Sequence, residues 1–154
     1  MAPPRGLRRC PTDDGVSLFV GTVSPGGVPA GCRAVGAVTN DELKTLTVYV
    51  PIATSREVLA NIAANKRLAL VATYPPDHST VQVKGRTTSV RLAADAEEAL
   101  VRARLETFAA SLDEIGIPRR VTRAINHWPA FAVDMKVEEV FEQTPGPNAG
   151  TPIR

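Results

Sequence analysis

The sequence predicts one mostly β domain (class α+β), a six-stranded antiparallel barrel with two or three helices at its ends. Three observations support this prediction. The chain has 154 residues, which suits a single domain, and 44% of them are hydrophobic, which is enough for a core. Six short runs have the composition and alternation of strands. Helical patterns interrupt them without the regular βαβ alternation of a parallel sheet, so an antiparallel barrel is favoured.

The predicted strands are runs rich in β-branched residues or runs that alternate between apolar and polar side chains. The first two flank Ser24-Pro25-Gly26-Gly27, a strong turn signal that predicts a hairpin, and a second turn is predicted at Asn40-Asp41. The six runs cover residues 16–23, 28–38, 45–52, 68–74, 80–92 and 131–137.

Two capping boxes predict the starts of helices. Thr54-x-x-Glu57 opens a helix that closes near residues 65–66, and Asp95-x-x-Glu98 opens a longer one that Gly116 ends. A further helical turn is predicted over residues 119–126. The second helix carries an apolar stripe at steps of three and four residues, which consists of Val101, Leu105, Phe108, Leu112 and Ile115.

The two ends of the chain are predicted to lie outside the barrel domain of residues 16–144. Residues 1–15 carry three arginines (Arg5, Arg8 and Arg9) beside proline and glycine, which predicts a flexible basic arm. Residues 145–154 are rich in proline and glycine and predict an irregular tail.

Composition excludes several classes of protein. The net charge of +2 is too small to indicate nucleic-acid binding. No apolar run approaches the roughly 18 residues of a membrane span, and no apolar segment follows the basic N-terminus as in a signal peptide. Cys10 and Cys32 form no zinc spacing with His78 or His127. We therefore expect a cytoplasmic protein with reduced thiols, no metal site and no membrane or nucleic-acid partner.

The first candidate site is the start of the first helix, at Thr54, Ser55 and Arg56. The first amides of a helix lack intrahelical acceptors, and the helix dipole adds partial positive charge there. The Ser55 hydroxyl and the Arg56 guanidinium add donors that suit one phosphate monoester. The alternative is an ordinary capped helix with a solvent-exposed arginine.

Two further candidate sites lie on predicted strands. Gln82 and Lys84 leave the same strand face as Arg86; an amide can pair with a heterocycle, and an ammonium with a phosphate or ring carbonyl. Gly85 between them predicts a bulge or a close backbone approach. The alternative is an exposed polar sheet face.

On the second predicted strand, Arg33 precedes the small residues Ala34 and Val35, along which a ligand could lie. An edge salt bridge is the alternative. Neither a nucleophile elbow nor a nucleotide-binding glycine motif is present, so no catalytic residue is predicted.

Three runs, in this order and spacing, resemble the pyridoxamine 5'-phosphate oxidase-like family of FMN-binding split barrels. They are FVGTVSPGGVPAGCRAVGAV, LTVYVPIATSREVLANIAANKRLALVATY and TVQVKGRTTSV, and the resemblance covers residues 16–92. Residues 128–150 are similar to the last barrel strand and tail of members of this family.

The resemblance implies a split barrel that binds FMN and acts as a flavin-dependent oxidoreductase on a small molecule. It also implies a homodimer with its ligand sites at the subunit interface, and some relatives use the deazaflavin F420 instead. The implied cofactor contacts are Arg33, Ala34 and Val35 beside the flavin, Ser55 and Arg56 at the phosphate, and Gln82 followed by Lys84 on the strand.

Two alternatives remain open at this stage. The chain could be a non-catalytic module that binds a flavin or haem without turnover. It could also be an interaction protein whose predicted helix over residues 95–115 docks a partner.

Overall fold

The computed structural model describes residues 7–39 and 42–154, so the turn predicted at residues 40–41 lies outside the described residues. The strands are β1 (Ser17–Val23), β2 (Pro29–Ala34), β3 (Gly36–Val38), β4 (Thr45–Pro51), β5 (Arg67–Thr73), β6 (Thr80–Leu92), β7 (Ala130–Glu142) and β8 (Thr151–Pro152). The helices are α1 (Arg56–Asn65), α2 (Glu98–Asp113) and α3 (Arg119–Arg123), and 3₁₀ turns cover Ile52–Thr54 and Asp95–Glu97. No helix within these ranges is long and apolar enough to cross a membrane.

All strand pairs are antiparallel, and the sheet order is β2-β1-β5-β6-β7-β4-β3, with β8 added to β7. The strands at the two ends of this order, β2 and β3, follow each other along the chain. In the chain between these two strands, the Val35 amide donates to the Tyr49 carbonyl of β4 over 2.9 Å. The two edges of the sheet therefore lie close together, and the sheet is curled. The predicted mostly β antiparallel barrel is confirmed.

The described residues form eight strands, two more than the six predicted from the sequence. The run over residues 28–38 becomes two strands because its first part pairs with β1 and its second part pairs with β4. The other addition is β8, in the tail that was predicted to be irregular. There Thr151 and Pro152 pair with Glu142 and Phe141, and Ile153 packs against the core, so the irregular part is limited to residues 143–150.

The core is filled by the inward-facing side chains of the strands. Val20, Val48, Leu70, Val83 and Val133 are all fully buried. Helix α1 covers one end of this core through Val58 and Ile62. On the same helix the Asn61 amide donates to the Thr22 hydroxyl over 3.0 Å, and the Asn65 amide to the Val23 carbonyl over 2.7 Å.

Helix α2 packs its predicted stripe against the barrel only in part. Val101, Leu105 and Phe108 are buried, whereas Ile115 is 48% exposed because the helix ends at Asp113. The buried part of the stripe is used in packing within the chain and is not free for a partner.

The capping box predicted at Asp95 is shifted by one residue. The carboxylate that reaches back belongs to Glu97, whose Oε2 accepts the Ala94 amide proton over 2.7 Å. Residue 94 is an alanine, which has no hydroxyl to complete the pair.

The described part of the predicted flexible arm, residues 7–15, packs on the barrel. Leu7 and Cys10 are buried in the core cluster, and the Arg9 guanidinium lies 3.7 Å from the ring centroid of Tyr74. The Gly15 carbonyl accepts a 2.6 Å hydrogen bond from Ser111 on α2. The composition of this segment did not predict these contacts, because its few apolar side chains find partners far away in the sequence.

Candidate functional site

The start of helix α1 differs from the predicted capping box. Thr54 is exposed and ends the 3₁₀ turn, and Ser55 takes the N-cap position with no side-chain capping bond. The helix proper begins at Arg56, where Leu59 donates to the Ser55 carbonyl over 2.9 Å. The 3₁₀ turn after β4 moves the N-cap from Thr54 to Ser55, so the Thr54–Glu57 spacing no longer fits a capping box.

Ser55 and Arg56 nevertheless leave polar groups without protein partners. The Ser55 side chain is fully buried, and its Oγ has no hydrogen-bond partner in the part of the chain that the structure describes. A buried hydroxyl without a partner costs roughly 1–3 kcal/mol, so such a group marks a place where a partner is expected. Arg56 is exposed and forms no ion pair with any described residue. Together they present a hydroxyl, first-turn amides and a guanidinium, the donor set of a phosphate site.

Arg33 lies near the end of β2, close to helix α2. Its Nη1 donates to the Ser17 hydroxyl over 3.0 Å, and its guanidinium lies 5.3 Å from the centroid of Phe108. No described carboxylate pairs with it, so the edge salt bridge considered from the sequence is absent. Burial lowers the pKa of Arg33, but an arginine remains charged. The result is a half-buried cation without a counter-ion among the described residues.

Arg33, Ala34 and Val35 line one small cavity beneath α2 and the segment of residues 7–15. The cavity encloses about 20 Å³, which is room for one water molecule. Arg104 also lines it, and its Nη1 lies 2.7 Å from the Asp14 carboxylate. A larger ligand therefore has to approach Arg33 from the outer face of the sheet, where Phe19 is its direct cross-strand neighbour.

Gln82 and Lys84 lie on the outer face of β6, as the alternation predicts. The Gln82 Oε1 accepts a 3.3 Å hydrogen bond from Gln143, and the Lys84 ammonium lies 4.7 Å from the centroid of Phe141. The predicted close approach at Gly85 is confirmed, since a Cβ there would lie 2.0 Å from the Lys136 carbonyl oxygen.

The strand register relates two of the three candidate clusters. Arg33, Phe19, Val71 and Gln82 are successive partners across β2, β1, β5 and β6. Arg33 and Gln82 therefore share one face, three strand spacings or about 14 Å apart. No hydrogen bond or ion pair among the described residues joins either of them to Ser55 or Arg56.

Sequence reasoning missed two groups beside the arginines that line this cavity. Phe108 was assigned to the core stripe, and Asp14 to a flexible arm, yet both lie beside the arginines that line the cavity. Only contacts between distant segments of the chain bring these two residues to the arginines, and no local spacing in the sequence indicates such contacts.

Comparison with known proteins gives a consistent result. The profile of the pyridoxamine 5'-phosphate oxidase family matches residues 15–142. None of the curated proteins matches the chain significantly.

Three solved structures are similar in fold. A Lactobacillus delbrueckii protein assigned as a pyridoxamine 5'-phosphate oxidase is 22% identical, with a TM-score of 0.50, covering 81% of this chain and 83% of its own. An F420 reductase is 15% identical (TM-score 0.56; 89% and 97% covered). A Clostridium acetobutylicum protein related to general stress protein 26, of the pyridoxinephosphate oxidase family, is 17% identical (TM-score 0.51; 91% and 87% covered). Because the profile spans most of the chain, the protein belongs to the pyridoxamine 5'-phosphate oxidase family.

Proposed function

We propose that this protein binds FMN and acts as a flavin-dependent oxidoreductase on a small molecule. The buried Ser55 hydroxyl without a hydrogen-bond partner is the observation on which the proposal chiefly depends. It lies at the N-terminus of α1, beside Arg56, which pairs with no described carboxylate, and the family resemblance implies the cofactor phosphate at this position. Family membership over residues 15–142 supports the same assignment.

The residues of the site would bind and orient the cofactor. Ser55 and the first amides of α1 would donate to the phosphate, and Arg56 would balance its charge. Arg33, which has no counter-ion in residues 7–39 and 42–154, would favour electron-rich atoms at the border of the flavin. FMN, when bound, supplies the hydride chemistry itself, so the barrel is not required to provide an acid or base.

A second copy of the chain would complete this site. Phe19 is 50% exposed on the outer face between Arg33 and Gln82. Within one chain Gln82 is too far from Arg33 to contact the same ring edge, whereas a homodimer built on this face would bring both side chains to one ligand. Analytical ultracentrifugation should give the mass of a dimer; a monomer at micromolar concentration would contradict this part of the proposal.

The absorption spectrum of the purified protein tests cofactor binding. A band near 450 nm that survives dialysis supports FMN, and mass analysis of the released molecule distinguishes FMN from F420. A Soret band would identify haem instead. Colourless protein that takes up no added FMN would refute the proposal. Bound FMN that is never reduced by nicotinamide or F420 donors would favour the non-catalytic binding module.

Arg56→Ala tests the phosphate contact. Loss of one charge-assisted contact should weaken FMN binding by about 1–3 kcal/mol, measured by fluorescence titration. Arg120→Ala is the matched control, because Arg120 is also exposed near a helix start and has no ion pair among the described residues. Equal FMN affinity in both variants would remove Arg56 from the site.

A further inference from the structure

Three cations lie side by side on the outer face of the sheet. Arg67 of β5 is the direct partner of Arg86 of β6, and Arg86 is the direct partner of Lys136 of β7. All three side chains are exposed. Directly opposite residues on one sheet face have their Cβ atoms about 5 Å apart, so these three residues form a continuous basic row.

This basic row is poorly neutralised by the protein. Arg86 has one carboxylate neighbour, Glu138, with Nε and Oε1 3.6 Å apart on the surface. Arg67 and Lys136 have no ion pair with any described residue. Like charges directly opposite each other destabilise a sheet, so the row opposes folding unless an anion covers it.

The backbone of β7 is shaped to place Lys136 in this row. The register shifts between Lys84, opposite Glu139, and Gly85, opposite Val137, so Glu138 is an extra residue in a bulge. Gly85 makes room for the Lys136 carbonyl. Bulges commonly re-aim side chains beside functional sites.

A groove adjoins the basic row. It has a volume of about 470 Å³, within the range of small-molecule sites, and its charged lining residues are Arg67 and Lys84 together with the carboxylates Glu138 and Glu139. Gly21 and Ala69 are also among its lining residues, and a Cβ added to Gly21 would meet no atom within 4 Å. Space for the body of a ligand therefore lies directly beside the cations.

We propose that this groove and the basic row bind a small molecule that carries a phosphate group. The body of the ligand would lie over Gly21, and its phosphate would reach Arg67 and Arg86. A doubly charged phosphate can engage neighbouring cations at once, and arginine presents a planar fork that matches its oxygens. The site is separate from Ser55 and Arg56, although Lys84, which lines the groove, is also one of the cofactor contacts that the family resemblance implies.

Titration with pyrophosphate tests the basic row. Binding is measured by calorimetry on the full chain, with sodium chloride added to keep the ionic strength constant. Arg67→Gln and Lys136→Gln should each weaken binding by roughly five- to tenfold, whereas Arg120→Gln, which removes the same charge elsewhere, should not. Equal weakening in all three variants, or no heat above the salt control, would overturn the proposal.

The unliganded protein gives a second measurement on the same variants. At low salt, Lys136→Gln should raise the thermal midpoint because it removes a repulsion, and the gain should vanish when pyrophosphate is added to both proteins. A midpoint lowered by the substitution without ligand would show that the row is neutralised within the protein and would contradict the proposal.

Gly21→Val tests the groove. A valine suits a strand, and a Cβ at this position meets no atom within 4 Å, so the fold should be retained. The variant should bind phenyl phosphate at least several-fold more weakly than the natural chain and inorganic phosphate equally well. Equal binding of phenyl phosphate by both proteins would exclude the groove. Repeating the titration with saturating FMN should give the same constant; displacement by FMN would make this the cofactor site and overturn a separate one.

Discussion

Gly85 lies where strand β6 closely approaches the backbone of strand β7. A Cβ at this position would lie 2.0 Å from the Lys136 carbonyl oxygen and 3.1 Å from the Met135 methyl group. The obstacle is backbone, which cannot rotate away like a flexible side chain. Glycine is therefore required here for packing, independently of its backbone dihedral angles.

Gly85→Ala should lower the free energy of unfolding by about 2 kcal/mol or more, because the two strands must separate to admit the methyl group. Gly21→Ala is the matched control. It is also a strand glycine, but its added Cβ meets nothing, so stability should be unchanged or raised by about 0.5 kcal/mol. Urea unfolding of both variants measures the difference, and equal midpoints would contradict the close approach.

The structural roles of single residues were predicted from the sequence with unequal success. The bulge and close approach at Gly85 followed from one glycine in a regular alternation, since a strand interior rarely accepts a residue without a side chain. Thr54 matched a capping box in spacing alone. Thr54 does not cap the helix because the chain makes a 3₁₀ turn after β4, and the local motif does not encode that turn.

At the scale of elements, the 3₁₀ turn before α2 is joined to two strands by one carboxylate. Glu97 accepts hydrogen bonds from the Tyr49 hydroxyl of β4 over 2.7 Å and from both terminal nitrogens of Arg91 of β6. The Arg91 hydrogen bonds, followed by those from Tyr49 and Ala94, lower the pKa of Glu97 from 4.5 to about 2. Burial and the same carboxylate raise the pKa of Tyr49 to about 12.

Glu97→Gln should therefore cost stability in a pH-dependent manner. A carboxylate whose pKa is lower in the folded chain stabilises it fully above about pH 4.5, and this stabilisation is lost as the pH falls toward 2. At pH 7 the variant should lose about 1–2 kcal/mol, a value reduced for partial solvent screening. Urea unfolding of both proteins from pH 7 to pH 2 should show this difference shrinking through that window.

Glu106→Gln provides the control for this pH dependence. Glu106 also accepts hydrogen bonds from two guanidinium nitrogens of an arginine, Arg123. This pair lies on the exposed surface of helices α2 and α3. Its effect should be much smaller than that of Glu97. A Glu97 difference that stays constant from pH 7 to pH 2 would show that the carboxylate charge is not what stabilises the turn.

Elements were predicted well where their own hydrophobic periodicity is strong. They were predicted less well where the pairing of distant strands determines which side chains lie together. The buried upper part of the α2 stripe, from Val101 to Phe108, follows the helical period. The basic row joins Arg67, Arg86 and Lys136, which are 19 and 50 residues apart in the sequence. Only the register, including the bulge at Glu138, brings them together, and a slip of one residue would move Lys136 to the other face.

At the scale of the molecule, both described chain ends pack on the barrel. The Ile153 amide donates to the Val140 carbonyl over 2.7 Å, and the Val140 amide donates to the Arg154 carbonyl over 2.8 Å. The Arg154 guanidinium reaches the Leu43 carbonyl, so the last residues connect the far part of β7 to the segment before β4. Proline and glycine content concealed this pairing, because the intervening residues 143–150 are irregular.

Removal of residues 151–154 should consequently destabilise the whole barrel. The deletion leaves Val140 without partners at both its amide and its carbonyl and uncovers the core beneath Ile153. We expect a loss of about 2–3 kcal/mol in the free energy of unfolding, from lost hydrogen bonds and lost apolar burial. Thr151→Ala is the control, since that side chain is exposed and makes no hydrogen bond among the described residues. An unchanged urea midpoint in the deletion variant would show that the pairing of β8 with β7 does not stabilise the barrel, and a loss matched by Thr151→Ala would place the effect at residue 151 alone.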